Sequence, residues 1–381
     1  MSTEDTAQAT QDSGGAVEPT PATDARGSSR TGAWRRRAVA LALLCLSLLW
    51  VAQSNDFGPT TMAALLPVLT TAAIYGVGGV GLNLQFGHGG LLNFGFVAFM
   101  AVGAYTTVML IPHLQGAQSS RHDGSLPLVL AIIVGAALAA ALGALFGIPA
   151  IKVRGDYLAI IMIAVAEILR IVLRNIEPVS GGVYGMLGYS GALQDIRPEA
   201  VDELARSMNT QGFQLWLALV SWAVLVLFTL AIALLLKTPW GRMLRAVRDD
   251  EHAVRSLGKS PTRVKLQALM IGGAIGGVSG SLLAFQLSQI NPDVFMPQVT
   301  FFVFTIVVLG GTSTTWGPAV GSVIFWVLLT QAGAFISEHV GSNSAASAMR
   351  YILVGLLMGL LVVFRPQGLL GRREEVVLEL K

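Results

Sequence analysis

The chain has 381 residues, of which 53% are hydrophobic and only 12% charged, with a formal net charge of +3. Soluble domains carry about 25% charged residues; half that share, with repeated apolar runs of about 18 residues or more, excludes an ordinary soluble globule and points to an all-α polytopic membrane protein. The runs do not alternate, which excludes a β-barrel, and the small, scattered charge gives no footing for nucleic acid.

Residues 1–33 are rich in Ser, Thr, Ala, Gln, Gly and Pro, with no aromatic residue before Trp34, and read as a disordered N-terminal tail. Arg35, Arg36 and Arg37 precede an apolar run, 38–53. The long leader and the lack of a small-x-small cleavage site favour a retained span over a signal peptide. Hydropathy then gives spans near 36–54, 60–85, 91–111, 126–150, 156–175, 213–237, 264–289, 297–311, 316–337 and 348–364. The expected count is about ten (eight to ten), and the short eighth is a candidate re-entrant segment. A membrane domain, 34–371, is followed by a C-terminal tail, 372–381. Glycine is 43 of 381 residues, about 11% against roughly 7% in ordinary proteins, which suits close helix packing and broken helices. The single cysteine, Cys45, forms no internal disulfide and no Cys-based metal site.

The distribution of charge orients the spans. With Arg35–Arg37 in the cytoplasm, an unbroken count also puts Lys152 and Arg154, the loop 238–263, and Arg365, Arg372 and Arg373 inside. Both termini are then cytoplasmic. The longest external loop, 176–212, holds five acids (Glu177, Asp195, Glu199, Asp202, Glu203) against two bases (Arg197, Arg206). Arg170 and Arg174, near the outer end of the fifth span, run against the pattern.

Residues 81–105 break the apolar pattern with Gly81, Gly87, Gly90 and Gly95 among Asn83, Gln85, His88 and Asn93. Glycine permits a sharp break and close helix contact, and the amides can satisfy backbone groups released by it. This predicts a packed, broken-helix seam, with Asn83, Gln85 and Asn93 as candidates for the substrate path. His88 has no other histidine at ligand spacing, so no metal site is expected. The Gly-rich run lacks the Gly-Lys-Ser/Thr ending of a nucleotide loop. Glu167 and Arg170 are three apart on one helix face, so they are read as a structural ion pair or as groups on the path. Gln286 and Gln331 are expected to make interhelical hydrogen bonds. No catalytic constellation is visible.

The loop 238–263 carries the most helix-like soluble stretch. Thr238 can cap, Pro239 suits the first turn, and Gly258 and Pro261 mark the stop. Trp240, Met243, Leu244, Val247, Val254 and Leu257 fall at helical spacing, which predicts one amphipathic helix of roughly 18 residues. Such a helix lies on lipid headgroups or docks its apolar face in a partner's groove.

Motifs in a fixed order carry a resemblance. They are Gly81-Leu82-Asn83-Leu84, Gly87, Gly90, Gly95 and Gly103-Ala104-Tyr105; then Gly155, Tyr157, Glu167-Ile168, Arg170 and Asn175; then Gly241-Arg242, Arg245-Ala246, Arg248 and Gly258; then Val308-Leu309-Gly310-Gly311, Gly317-Pro318 and Phe364-Arg365-Pro366-Gln367-Gly368-Leu369. From about 60 to 371 the chain resembles the LivM-type permease subunits of branched-chain amino acid ABC importers.

The resemblance implies a permease of the cytoplasmic membrane, not itself an enzyme. Its partners would be a homologous, LivH-like second permease, two cytosolic ATPases that bind ATP and Mg, and an external substrate-binding protein; this chain would bind no cofactor. It also implies a coupling loop of the form Glu-Ala-Ala, three residues, then Gly. Here His252-Ala253-Val254 and Gly258 fit that frame, with Glu251 adjacent, so Gly241, Arg242, Arg245, Arg248, Glu251, His252, Ala253 and Gly258 are the expected coupling residues. Leu91, Asn93 and Phe96 stand where relatives commonly show Gln, Ser and His, departures that leave the fold intact but weaken any inherited substrate preference; urea or short amides are an alternative cargo, because urea-system permeases resemble this family closely. An ATP-independent transporter is the more distant alternative.

Overall fold

Apolar runs become helices in a membrane because hydrocarbon offers no partner for a backbone N–H or C=O, and the helix pairs them internally. The computed structural model of the protein describes residues 60–116, 125–150, 155–189, 191–340, 343–364 and 368–371. The expected tails 1–33 and 372–381, the first span 36–54, and Arg35–Arg37, Lys152, Arg154, Arg365, Arg372 and Arg373 lie outside the described residues.

The long helices are α1 (Thr60–Leu82), α2 (Phe96–Gly116), α3 (Ser125–Ala150) and α4 (Gly155–Asn175). A short α5 (Glu199–Ser207) precedes α6 (Gly212–Leu235); α7 (Pro239–Asp249) and α8 (Glu251–Ser256) precede α9 (Pro261–Leu287). The last are α10 (Pro297–Gly310), α11 (Gly317–Val340) and α12 (Asn343–Phe364). Among the described residues five helices are long and apolar enough to cross a membrane: α1 with the turn that follows it, α2, α3, α6 and α9. Shorter apolar helices cover 297–310 and 317–333. Among the described residues the only strands are β1 (Met186–Leu187) and β2 (Gln289–Ile290), so the described fold is a helical membrane bundle and not a barrel.

The centre is set by α9 and α1, whose apolar windows are 83% and 72% buried within the chain, against 28% for α3 and 33% for α6. α9 packs on α1, α2 and α3; α1 also meets α6 and α11, and α10 and α12 close on α11. Where α2 crosses α9 the backbones touch. A Cβ added at Gly280 would run into the Met100 carbonyl, and one at Gly103 into the Gly277 backbone. Small residues allow such contact, which replaces the missing hydrophobic drive between helices in lipid. Ser281 Oγ bonds the Gly103 carbonyl (3.2 Å) and lies 2.8 Å from Thr107 Oγ1. Gln286 makes the expected interhelical bond, donating Nε2 to Thr71 Oγ1.

One end of the bundle carries α7 and α8 (the basic end). The other carries 176–212 (the acidic end). There β1 runs antiparallel to β2, with Met186 opposite Ile290 and Leu187 opposite Gln289, and Tyr189 Oη donates to the Ala284 carbonyl at 2.9 Å.

Gly280→Ala is expected to cost about 1–3 kcal/mol, because the new methyl must displace backbone. Gly355→Ala in α12, where nothing lies within 4 Å of the added Cβ, should not lower stability and should raise it by up to about 1 kcal/mol. Thermal unfolding of the two variants of the purified permease checks the contrast.

Candidate functional site

The chain does not leave helical geometry where α1 ends at Leu82. It widens into a six-residue π-helical turn, Asn83–His88, and then leaves helical geometry. Gly89, Gly90 and Leu91 N–H groups reach back to the Leu84, Phe86 and Gln85 carbonyls. Gly90 sits at φ +66°, a left-handed conformation that glycine takes without strain. α2 therefore starts at Phe96, five residues later than the run 91–111 suggests. Phe94 stacks on Phe304 at 4.6 Å, so the apolar residues of the break serve packing and not helix.

Side chains close the backbone groups that the break exposes. Gln85 donates Nε2 to the Leu269 carbonyl (3.0 Å) and accepts from Asn93 Nδ2 (2.9 Å). Asn93 Oδ1 accepts the Gly95 N–H (3.1 Å), and Thr300 Oγ1 accepts the Val97 N–H (3.0 Å). Asn83 clamps the loop 311–316, donating to the Thr314 carbonyl (2.9 Å) and accepting the Ser313 N–H (3.0 Å). His88 Nδ1 lies 3.1 Å from the Asn83 carbonyl. Gln85 and Asn93 have no exposed surface and Asn83 has 3%, so in this conformation the three amides meet protein only.

The seam glycines sit at backbone contacts. A Cβ at Gly81 would meet the Gly272 carbonyl, one at Gly87 the Asn83 side chain and Ser313, and one at Gly95 the Met162 carbonyl in the middle of α4. Gly310 lies on Gly317, and Gly311 turns the chain at φ +110° against Leu370–Gly371.

Glu167 and Arg170 stand apart from the seam, at the acidic end of α4. Arg170 grips Glu167 through Nε and Nη2 (3.0 and 2.5 Å) and Asp293 through Nη1 (2.6 Å). Arg174 is 3.8 Å from Asp293. The two bases that run against the charge pattern thus anchor α4 to the turn Pro292–Phe295.

The loop 238–263 differs from expectation in several respects. It is two helices, because Asp250 (φ −153°) leaves helical geometry and caps the second, accepting the His252 and Ala253 N–H groups (2.8 and 3.0 Å). Those two N–H groups hold the Asp250 carboxyl below the usual carboxylate range. Thr238 makes no cap bond and donates instead to the Leu235 carbonyl. The apolar stripe also faces the chain's own body. Leu244, Val247 and Val254 are buried, Trp240 Nε1 bonds Gln267, and Leu257 departs from the stripe at 80% exposed.

Gly241 is buried against Leu236, while Arg242, Arg245, His252, Ala253 and Gly258 face outward. Glu251 pairs with Lys265 (2.5 Å) and Arg255 (2.9 Å); burial raises its pKa, but the two cations outweigh it and hold the carboxyl low. Arg248 turns inward, onto the Gly87 carbonyl (2.5 Å) and Ser313 Oγ (2.6 Å). Sequence reasoning missed Ser313, Thr314, Thr300, Asp293 and Asp250. Only Asp293, an acid beside a span, carried any signal.

Two concavities lie elsewhere. One of about 610 Å³ is lined by Arg206, Asn209, Thr210, Gln211 and Gln214 at the acidic end. One of about 330 Å³ is lined by Leu235, Trp240, Gln267, Met270 and Ile271 at the basic end. Among the described residues no group of three or more His, Cys, Asp or Glu could hold a metal ion.

Gln85→Leu is expected to destabilise the protein by about 1–3 kcal/mol, since it removes the interhelical bond to the Leu269 carbonyl and strands the Asn93 amide. Adding Asn93→Leu should cost less than the sum of the two single changes, because one unpaired partner is removed. Thermal unfolding of the single and double variants measures this.

Residues 64–362 match the family described as branched-chain amino acid transport system / permease component. The chain is 33% identical over 320 residues to the LivM high-affinity branched-chain amino acid permease protein of Salmonella typhimurium, covering 80% of this chain and 69% of the relative. It is 31% identical over 353 residues to LivM of Escherichia coli, covering 88% and 75%. It is also 27% identical over 316 residues to LivH of Escherichia coli, covering 80% and 94%. No solved structure gives a significant match. A helical membrane bundle with a broken-helix seam, matched to this family along most of its length, belongs to the branched-chain amino acid transport system permease components.

Proposed function

We propose that the chain is the membrane-spanning permease subunit of an ABC importer for branched-chain, hydrophobic amino acids, in the cytoplasmic membrane. It pairs with a LivH-like second permease. Two cytosolic ATPases bind ATP and Mg and drive transport, and an external binding protein delivers substrate. The observation that carries this reading is the orientation of α7 and α8. A helix lying on lipid turns its apolar face outward. Here Leu244, Val247 and Val254 are spent inside the chain, which leaves Arg242, Arg245, His252 and Leu257 to a soluble partner.

Transport works by alternating access, so affinity for the substrate differs between the outward and inward states. The path runs beside the seam, which Asn83, Gln85 and Asn93 brace, and along α4, where Glu167 and Arg170 mark the acidic end. Gly81, Gly87, Gly90, Gly95, Gly310 and Gly311 let the helices approach closely around it. Exposed backbone ends and amides supply dipoles for an amino acid's carboxylate and ammonium.

ATP-driven uptake of labelled leucine by the reconstituted complex, competed by valine and isoleucine, supports this assignment. Uptake of urea instead moves the cargo to small amides, and uptake without the ATPases sinks the importer reading. Leu257→Asp should weaken ATPase association by about tenfold, as for a lost interface anchor. Its unfolding temperature should not move, because the side chain is 80% exposed. Co-purification and thermal unfolding give the two readings.

A further inference from the structure

We propose that Arg248 is the positioning residue that carries movement of loop 238–263 into the broken-helix seam. This rests on the reading that an ATPase seats on that loop. Its guanidinium Nη1 donates to the Gly87 carbonyl, inside the π-helical turn, and to Ser313 Oγ, in the loop between α10 and α11. Ser313 Oγ in turn donates to the same Gly87 carbonyl (2.5 Å). Asn83 holds the Ser313 N–H, so α1, α7, α10 and α11 meet at one node. Ser313 sits at φ +62°, a conformation that a side-chain-bearing residue keeps only where its surroundings hold it.

The contact has no slack. A Cβ at Gly90 would lie 3.1 Å from Arg248 Cγ, and one at Gly89 would lie 3.3 Å from Leu244 Cδ1. α7 therefore rests on 87–90 through van der Waals contact, and a shift of α7 must move the seam or break the node. The polar partners of Arg248 are neutral. Among the described residues no carboxylate pairs with it, whereas Glu251 pairs with Lys265 and Arg255. A cation on neutral oxygens is held firmly enough to transmit a push, without the cost of parting an ion pair in each cycle.

The test uses the complete importer in proteoliposomes, with Arg248→Ala, Arg248→Lys, Ser313→Ala and the Arg248→Ala/Ser313→Ala double variant. For Arg248→Ala the ATPases should co-purify in wild-type ratio, while substrate imported per ATP hydrolysed falls about tenfold, the scale of one lost charge-assisted hydrogen bond. Ser313→Ala should fall in the same direction by less, and the double variant should be no worse than Arg248→Ala. Arg248→Lys, which keeps a cationic donor, should recover most of the coupling. A purely structural role would lower the unfolding temperature and leave the transport-to-hydrolysis ratio intact, and that result overturns the proposal. Loss of the ATPases from Arg248→Ala overturns it too, by making Arg248 a docking residue. If Arg248→Ala does not fold, normal coupling in Ser313→Ala is decisive against it. A wild-type complex that retains no ATPase sinks the importer reading itself, a separate result.

Discussion

A peptide group that loses its helical partner inside a bilayer has no water to turn to, and each buried orphan costs about 1–3 kcal/mol. The helix break at 83–95 exposes several at once, and the surrounding architecture answers that cost. Asn93 closes the Gly95 amide and Thr300 the Val97 amide. Gln85, buttressed by Asn93, reaches across to α9, which must pass close enough for a carboxamide to span the gap. Gly81 against Gly272 and Gly95 against Met162 allow that proximity. The Gly87 carbonyl is met by Arg248 and Ser313, so the loop outside the bundle and the turn between α10 and α11 are drawn to the same point.

The helices were largely legible because a membrane imposes one rule on every span, and hydropathy reports it directly. The limits 126–150, 156–175 and 297–311 lie within a residue of the observed helices. The break itself was legible as a run of glycines and amides. Its end was not, because Leu91, Phe94 and Phe96 look like the start of a span while Phe94 packs on Phe304 from non-helical backbone. Asp250 was hidden among charges that suit a helix surface, and only its cap geometry shows that it divides α7 from α8. Asp293 lies 123 residues from Arg170, and Ser313 lies 226 from Gly87, separations that no local pattern encodes. The amides Asn83, Gln85 and Asn93 were visible as exceptions to the apolar pattern. Their partners Thr314, Leu269 and Gly95 had to be seen.

The family assignment and the physical reading meet at the loop. Relatives named as branched-chain amino acid permeases align with 80% and 88% of the chain. The structure adds a separation of surfaces on two short helices: one side is sunk into the bundle and ends at the seam, and the other is mostly polar, with Leu257 its large exposed apolar side chain. A segment with an inner and an outer face of this kind can be pushed from outside and felt within.

At the opposite end, two residues of β1 are hydrogen-bonded to two of β2, and Tyr189 is tied to the end of α9. That small staple fastens the acidic loop to the helix most deeply buried in the bundle. A surface ordered before contact gives up little conformational entropy when another protein lands on it.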